Sequence, residues 1–291
     1  MQTFSQTLHA AAEEIKEYSE EASLFEAQQL LLDAFDLTKP EFLSILNEKI
    51  QNKGALSLFN KRIRKRKTGM PLSYILGHTS FLSHKYLCSS GVLIPRPETE
   101  MVVQKIIEFI SSIKQDVVVL ELGYGAGVIP IELHYKFKNL EYYGWDINPY
   151  ATSLAKKNAK YHHCDNLNIL EGDFFEEAPK MIKQIKKPVI IVSNPPYIPR
   201  KDIENLDFQV KEFEPLCALD GGESGIDFYK QCLSIFQDQP LAYFFEIGIS
   251  QQEPLEYILD PYNFEVTEFY KDIHLIPRLL EIVTKGPNSP E

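Results

Sequence analysis

The sequence predicts an α/β chain: a doubly wound, mainly parallel seven-stranded sheet with an antiparallel hairpin at its C-terminal edge, preceded by a small helical bundle. Three observations carry this. From Asp116 onward, strand-like and helix-like patterns alternate, which specifies a parallel sheet covered by helices on both faces. A strand-like run ends in the glycine-rich turn Gly123-Tyr124-Gly125-Ala126-Gly127. The first 75 residues instead repeat apolar positions at helical spacing.

In the N-terminal part, Leu24, Ala27, Leu31, Ala34 and Phe35 fall on one helical face. Thr38-Lys39-Pro40-Glu41 is a capping box with proline in the first turn. Four or five helices are expected within a domain spanning 1–75, a β-hairpin linker within 76–97, and the sheet domain over 98–291. The linker's strands are expected near Thr79–Leu82 and Lys85–Cys88, and a helix over about 98–113 has Glu98 and Glu100 at its positive end. Strands are then expected at 117–122, 141–146, 167–170, 188–193, 240–247, 263–269 and 276–283. Helices are expected at about 127–138, 149–161, 224–237 and 251–259. No helix separates the last two strands, hence the antiparallel edge.

The 291 residues with 44% hydrophobic content suffice for a substantial core. Apolar runs are strand-sized, well short of the ~20 residues of a membrane span. No basic, cleavable leader is evident, and a cytoplasmic location is expected. The cysteines, Cys88, Cys164, Cys217 and Cys232, show no Cys-x-x-Cys spacing. His162-His163-Cys164 is the one cluster worth testing for a metal, and none is expected, since adjacent helical residues point apart. Residues 1–85 carry 11 Lys/Arg against 10 Asp/Glu, and the rest of the chain 19 against 31. So acidic a second part argues against stable nucleic-acid binding. The basic run Lys61–Lys67 suits an RNA or acidic partner, or simply a solvated helix end.

The stretch richest in chemistry is Val189–Pro199. Val189-Ile190-Ile191-Val192 has the length and β-branched composition of a buried strand, and Pro195-Pro196 cannot continue its ladder. Asn194 therefore lies at the carboxyl end of a central strand, where open α/β sheets bind ligands. Its side-chain oxygen and the Pro195 carbonyl form two acceptors suited to an NH2 group on a planar centre, with Tyr197 available to stack on that plane. Upstream, Gly123–Gly127 lacks the third glycine spacing of a dinucleotide fingerprint, so it does not advertise a pyrophosphate cradle. Asp146 ends the next strand at the position that reaches ribose hydroxyls. Asp173 and Phe174 follow the third, suited to an adenine NH2 and its ring; each acid also suits a helix cap. An adenosine site without a phosphate grip points to S-adenosylmethionine.

These segments, together with Ile94-Pro95-Arg96-Pro97-Glu98-Thr99-Glu100 and Ala218-Leu219-Asp220-Gly221-Gly222-Glu223-Ser224-Gly225-Ile226-Asp227-Phe228-Tyr229, resemble the peptide chain release factor glutamine methyltransferases. The resemblance covers residues 70–250. It implies the Rossmann-like class I methyltransferase fold and methylation of the amide N5 of the glutamine in the Gly-Gly-Gln loop of class-I release factors; a monomer is expected. It further implies that the glycine loop and Asp146 bind cofactor, that Phe174 flanks its adenine, and that Asn194, Pro195, Pro196 and Tyr197 hold the glutamine; Asn194 is expected at the cofactor as well. The chain departs from the pattern at Glu121, where Asp is usual, at Tyr124, where a small polar residue is usual, and over His274–Arg278. Asn-Pro-Pro-Tyr also occurs in nucleic-acid exocyclic-amine methyltransferases, and a silent, ribosome-associated binding module is the non-enzymatic alternative.

Overall fold

The computed structural model describes residues 2–285 except 114, 238 and 263. Residues 1 and 286–291, at the ends of the expected domains, lie outside the described residues, as does the first residue of the strand expected at 263–269. The chain divides into two compact units, Met1–His78 with Asp207–Phe213, and Thr79–Leu206 with Glu214–Glu291.

A two-stranded hairpin, β1 (His78–Phe81) and β2 (His84–Leu87), precedes the main strands: β3 (Val118–Leu122), β4 (Glu141–Asp146), β5 (Asn168–Glu171), β6 (Val189–Ser193), β7 (Ala242–Glu246), β8 (Val266–Lys271) and β9 (Pro277–Val283). The seven strands β3 to β9 form one sheet in the order β5-β4-β3-β6-β7-β9-β8. Pairings from β5 to β7 are parallel, whereas β9 runs antiparallel to both β7 and β8. The expected antiparallel edge is present.

Every residue of β3, β6 and β7 is buried, as a strand covered on both faces requires. Side-chain alternation divides the core. Val119, Ile190, Val192 and Phe244 join the cluster containing helices Glu98–Ser112, Val128–Lys136 and Pro149–Tyr161. Val118, Leu120, Ile191, Tyr243 and Phe245 join the cluster containing helices Phe174–Ile182, Asp227–Phe236 and Gln252–Leu259.

The helix Phe174–Ile182 is absent from the sequence expectation, which ran from one strand to the next. Pro179 inside it masks the pattern, yet Phe174, Ala178 and Ile182, each buried, recur every four residues. Two further segments, Arg200–Asn205 and Phe208–Phe213, also went unrecognised, being only six residues each.

The helical unit contains Phe4–Ile15, Ser23–Phe35, Lys39–Ser44, Lys53–Arg66 and Leu72–Leu76. Thr38 forms the expected capping box with Glu41. Phe208 from the distant 207–213 segment packs on Tyr18, with ring centroids 5.5 Å apart, and over Gly69, where an added Cβ would lie 2.4 Å from its ring. Part of the basic run is internal rather than solvated. Arg66 is fully buried, donating to Glu26 Oε2 at 2.6 Å and to the Tyr18 carbonyl at 2.8 Å. Arg62 pairs with Asp33 and Lys67 with Glu14. Within the run, Lys61, Arg64 and Lys65 are the exposed cations without such a pair among its described residues.

Truncating one partner of a buried pair strands the other charge. Arg66→Ala is expected to destabilise the helical unit by about 3 kcal/mol, and Arg66→Met by less because it refills the volume. Urea denaturation of the full chain, followed by a probe in the helical unit, checks both.

Candidate active site

The connection order places a topological switch between β3 and β6: the chain runs outward from β3 through β4 to β5, then crosses to β6 and continues the other way. Crevices at the carboxyl ends of parallel strands open at such points. A cleft of ≈ 240 Å³ lies there. Gly123 and Gly125 of the loop, Asp146 at the end of β4, Asp173 and Phe174 after β5, and Asn194, Pro195 and Pro196 after β6 all line it. The ends of four consecutive strands, β3 to β6, thus converge on one cleft.

The loop after β3 folds tightly because Gly123, Gly125 and Gly127 take φ of 70°, 53° and 78°, a region costly for side chains. Gly127 lines neither this cleft nor the smaller one beside it. It caps the helix Val128–Lys136 and lets it approach Ala155, whose Cβ would be 3.1 Å from an added Cβ. Asp146 anchors this loop: one carboxylate oxygen accepts from Gly125 N at 3.0 Å and the other from Asn148 N at 2.9 Å. Burial raises its pKa while these two bonds pull it down. It therefore builds the turn as well as facing the cleft. Asp173 does double duty too, accepting from Phe175 N at 2.8 Å as the helix cap. Phe174 is buried, edge-on to Trp145 at 5.5 Å.

Tyr124, the unusual residue of the loop, is turned inward. Its ring is buried, with the hydroxyl 2.6 Å from Thr152 Oγ1 and donating to the Leu170 carbonyl at 2.9 Å. The bulk that stands where a small polar residue is usual ties the loop to its neighbours.

A second, smaller cleft shares Leu93, Gly123, Gly125 and Asn194 with the first. Tyr124 and Ala126 border it, together with Arg96, Thr99 and Glu121. Glu121 is buried, accepts from the Tyr142 hydroxyl at 2.7 Å, and is pushed up to about 8 by burial. Arg96 is held by Glu214, 2.5 Å away. One cleft is thus largely apolar with the carboxylates of Asp146 and Asp173 in its lining, and the adjoining one carries a cation and an acid. That donor set fits a ligand with a nucleoside at one end and an amino acid at the other, as in S-adenosylmethionine.

The Asn194-Pro195-Pro196-Tyr197 loop is held by a segment far along the chain. Ile198 N donates to Leu219 O at 3.0 Å and Gly221 N to Ile198 O at 2.9 Å, a parallel bridge outside the main sheet. At Gly221 an added Cβ would lie 2.7 Å from Tyr197 Cα and 2.9 Å from the Pro196 carbonyl oxygen. Gln251 Nε2 donates to the carbonyls of Tyr197 and Gly225, at 2.9 and 2.8 Å. The Gly-Gly-Glu-Ser-Gly segment is therefore a clamp, a role that sequence reasoning did not assign. Tyr197 itself enters neither cleft; its ring lies against Gly248. Asn194 Nδ2 donates to Thr99 Oγ1 at 3.1 Å, and Thr99 Oγ1 donates to Glu246 Oε2 at 2.5 Å. Neither Thr99 nor Glu246 was singled out from the sequence, being 147 residues apart. Among the described residues, no His, Cys, Asp and Glu group is placed to hold a metal, and no helix is long and apolar enough to cross a membrane.

A protein-family model described as the PrmC N-terminal domain matches residues 6–77, and one described as a methyltransferase domain matches residues 113–207. The release factor glutamine methyltransferase of Clostridium botulinum is 35% identical over 89% of this chain and 89% of its own length. That of Clostridium acetobutylicum is 32% identical over 94% of this chain and 95% of its own. Among solved structures, the hMettl16 catalytic domain in complex with MAT2A 3'UTR hairpin 1 has a TM-score of 0.52 and 11% identity, covering 91% of this chain and 95% of that one. The last likeness is one of fold.

Gly221→Ala is expected to push the Pro196–Tyr197 backbone out of place. Its melting temperature should fall, and S-adenosylhomocysteine binding, read by calorimetry, should weaken less than turnover. The raised pKa of Glu121 makes its contribution to stability full below its ordinary value of 4.5 and lost as pH rises through about 8. Denaturation at about pH 5 and about pH 9 should therefore show the wild type losing stability relative to Glu121→Gln.

Proposed function

This chain belongs to the release factor glutamine methyltransferase family, and on that premise we propose that Asn194 and Pro195 hold the carboxamide of a release-factor glutamine where the two clefts meet. The enzyme is an S-adenosylmethionine-dependent protein glutamine methyltransferase. The observation that carries the site assignment is that Asn194 borders both clefts while its side-chain nitrogen is already committed to Thr99.

Bound across the clefts, S-adenosylmethionine supplies an electrophilic methyl group. In our reading Asp146 and the cleft around Phe174 receive the adenosine, and Glu121 and Arg96 face the amino-acid end. An amide nitrogen is a weak nucleophile because its lone pair is delocalised into the carbonyl, so positioning has to supply much of the rate. The Asn194 side-chain oxygen and the Pro195 carbonyl each accept one N–H of the glutamine amide. Two acceptors fix the nitrogen and favour the positive charge that grows on it during transfer, and the methylated amide then sheds one N–H proton to return to neutrality. Pro196 cannot extend the strand ladder because it has no N–H, and no described backbone N–H donates to the Pro195 carbonyl, which leaves that oxygen for the substrate. Tyr197 anchors the loop through its carbonyl bond to Gln251.

The Gly-Gly-Gln loop of class-I release factors is the proposed substrate, and the proposed effect is on translation termination. The described cysteines are all unpaired, which supports a cytoplasmic setting. The net charge of −11 disfavours a nucleic-acid substrate.

Incubation with isotopically labelled S-adenosylmethionine and purified release factor, followed by peptide mass spectrometry, should place one methyl on the glutamine. Label on bulk RNA or DNA instead would overturn the reading. Asn194→Ala is expected to lower kcat by about 10²–10³-fold with little change in S-adenosylhomocysteine affinity.

A further inference from the structure

A carboxamide has two ends of nearly the same shape and opposite hydrogen-bonding polarity. Packing alone does not select between them, so an asparagine that must present its oxygen needs a neighbour of defined polarity at its nitrogen. Thr99 is that neighbour, at 3.1 Å from Asn194 Nδ2. A hydroxyl is both donor and acceptor, however, and by itself would accommodate either end of the amide.

Glu246 removes the ambiguity. It lies at the carboxyl end of β7, buried, with Oε2 2.5 Å from Thr99 Oγ1. An ionised carboxylate only accepts, so the hydroxyl hydrogen of Thr99 points at Glu246 and a lone pair is left for Asn194. We propose that Thr99 and Glu246 are positioning residues that hold the Asn194 carboxamide with its oxygen toward the cleft, Glu246 acting through Thr99. The inference rests on the reading of Asn194 as the acceptor for the substrate NH2.

The relay reverses on protonation. A neutral Glu246 carboxyl can donate to Thr99, whose hydrogen then turns to Asn194, favouring the amide with its NH2 in the cleft. That group opposes an incoming N–H instead of accepting it. The surroundings of Glu246 set where this happens. Burial pushes its carboxyl up to about 7, the Thr99 bond lowers it, Glu98 raises it, and Arg278 and Arg96 lower it. Tyr229 donates to the Glu246 backbone carbonyl at 2.8 Å, holding the strand end in place.

The test uses the full chain with Thr99→Val, Thr99→Ser and Glu246→Gln. Readouts are kcat and KM on release factor against pH, S-adenosylhomocysteine affinity, and ¹⁵N NMR of the Asn194 side-chain amide in ligand-free protein, assigned by its loss in Asn194→Asp. Thr99→Val should lower kcat by about 10- to 100-fold, the loss of one buried hydrogen bond, with S-adenosylhomocysteine affinity within about twofold. Thr99→Ser should restore most of the activity. Glu246→Gln offers Thr99 either an oxygen or an NH2 and does not titrate, so the Thr99 hydrogen is no longer fixed: kcat should fall at neutral pH, and the acid limb of the pH profile should disappear, along with the pH dependence of the Asn194 resonances. Unchanged kcat and unchanged Asn194 resonances in folded Thr99→Val would overturn the proposal. Asn194 resonances that respond to Thr99 and Glu246 in a wild type that does not methylate release factor would leave the relay standing and refute the functional reading instead.

Discussion

The backbone between Pro195 and Ile198 has left the sheet and still has to be held still. Two prolines deprive it of N–H groups, so it has no ladder to join, and a free loop there would scatter the two acceptors it carries. The protein holds it with a bridge from residues 219–221, which approach closely only because Gly221 lacks a Cβ. Gln251 closes the other side, donating to the Tyr197 and Gly225 carbonyls while its own oxygen accepts from Gly248 N. Rigid placement of acceptors lowers a barrier by avoiding reorganisation during the reaction, which makes this clamp part of the chemistry as well as of the fold.

The same region concentrates buried acids. Glu121, Glu214 and Glu246 are all withdrawn from water and all pushed upward by burial, to about 8, 7 and 7. A desolvated carboxyl costs free energy that must be offset by bonds, and each has one: Tyr142 for Glu121, Arg96 for Glu214, Thr99 for Glu246. Three such groups around one pair of clefts mark a functional region, because structure alone is more easily built from apolar side chains. Strained design of this kind is tolerated by the fully buried strands β3, β6 and β7 beneath it.

Much of this was legible in the sequence. Repeating β-branched runs, the glycine turn and the two prolines are local signals, and they place β3, β4, β6 and the loops after them within a residue or so. Asp146, Asp173, Phe174, Asn194, Pro195 and Pro196 come together at one cleft because each ends or follows a parallel strand, and parallel strands put their carboxyl ends on one side. The helix Phe174–Ile182 was obscured by its internal proline, although its four-residue apolar spacing was there to be read.

What the sequence by itself determined is where each strand stops and which backbone can turn there, since periodicity and the conformational limits of proline and glycine act within a few residues. Only the tertiary structure decided which side chains meet: that Tyr124 turns inward, that Arg66 is internal, that residue 221 must be glycine, and that Thr99 and Glu246 stand behind Asn194. Those contacts span from tens of residues to more than a hundred. They are set by the order in which strands are laid into the sheet, and no local propensity encodes that.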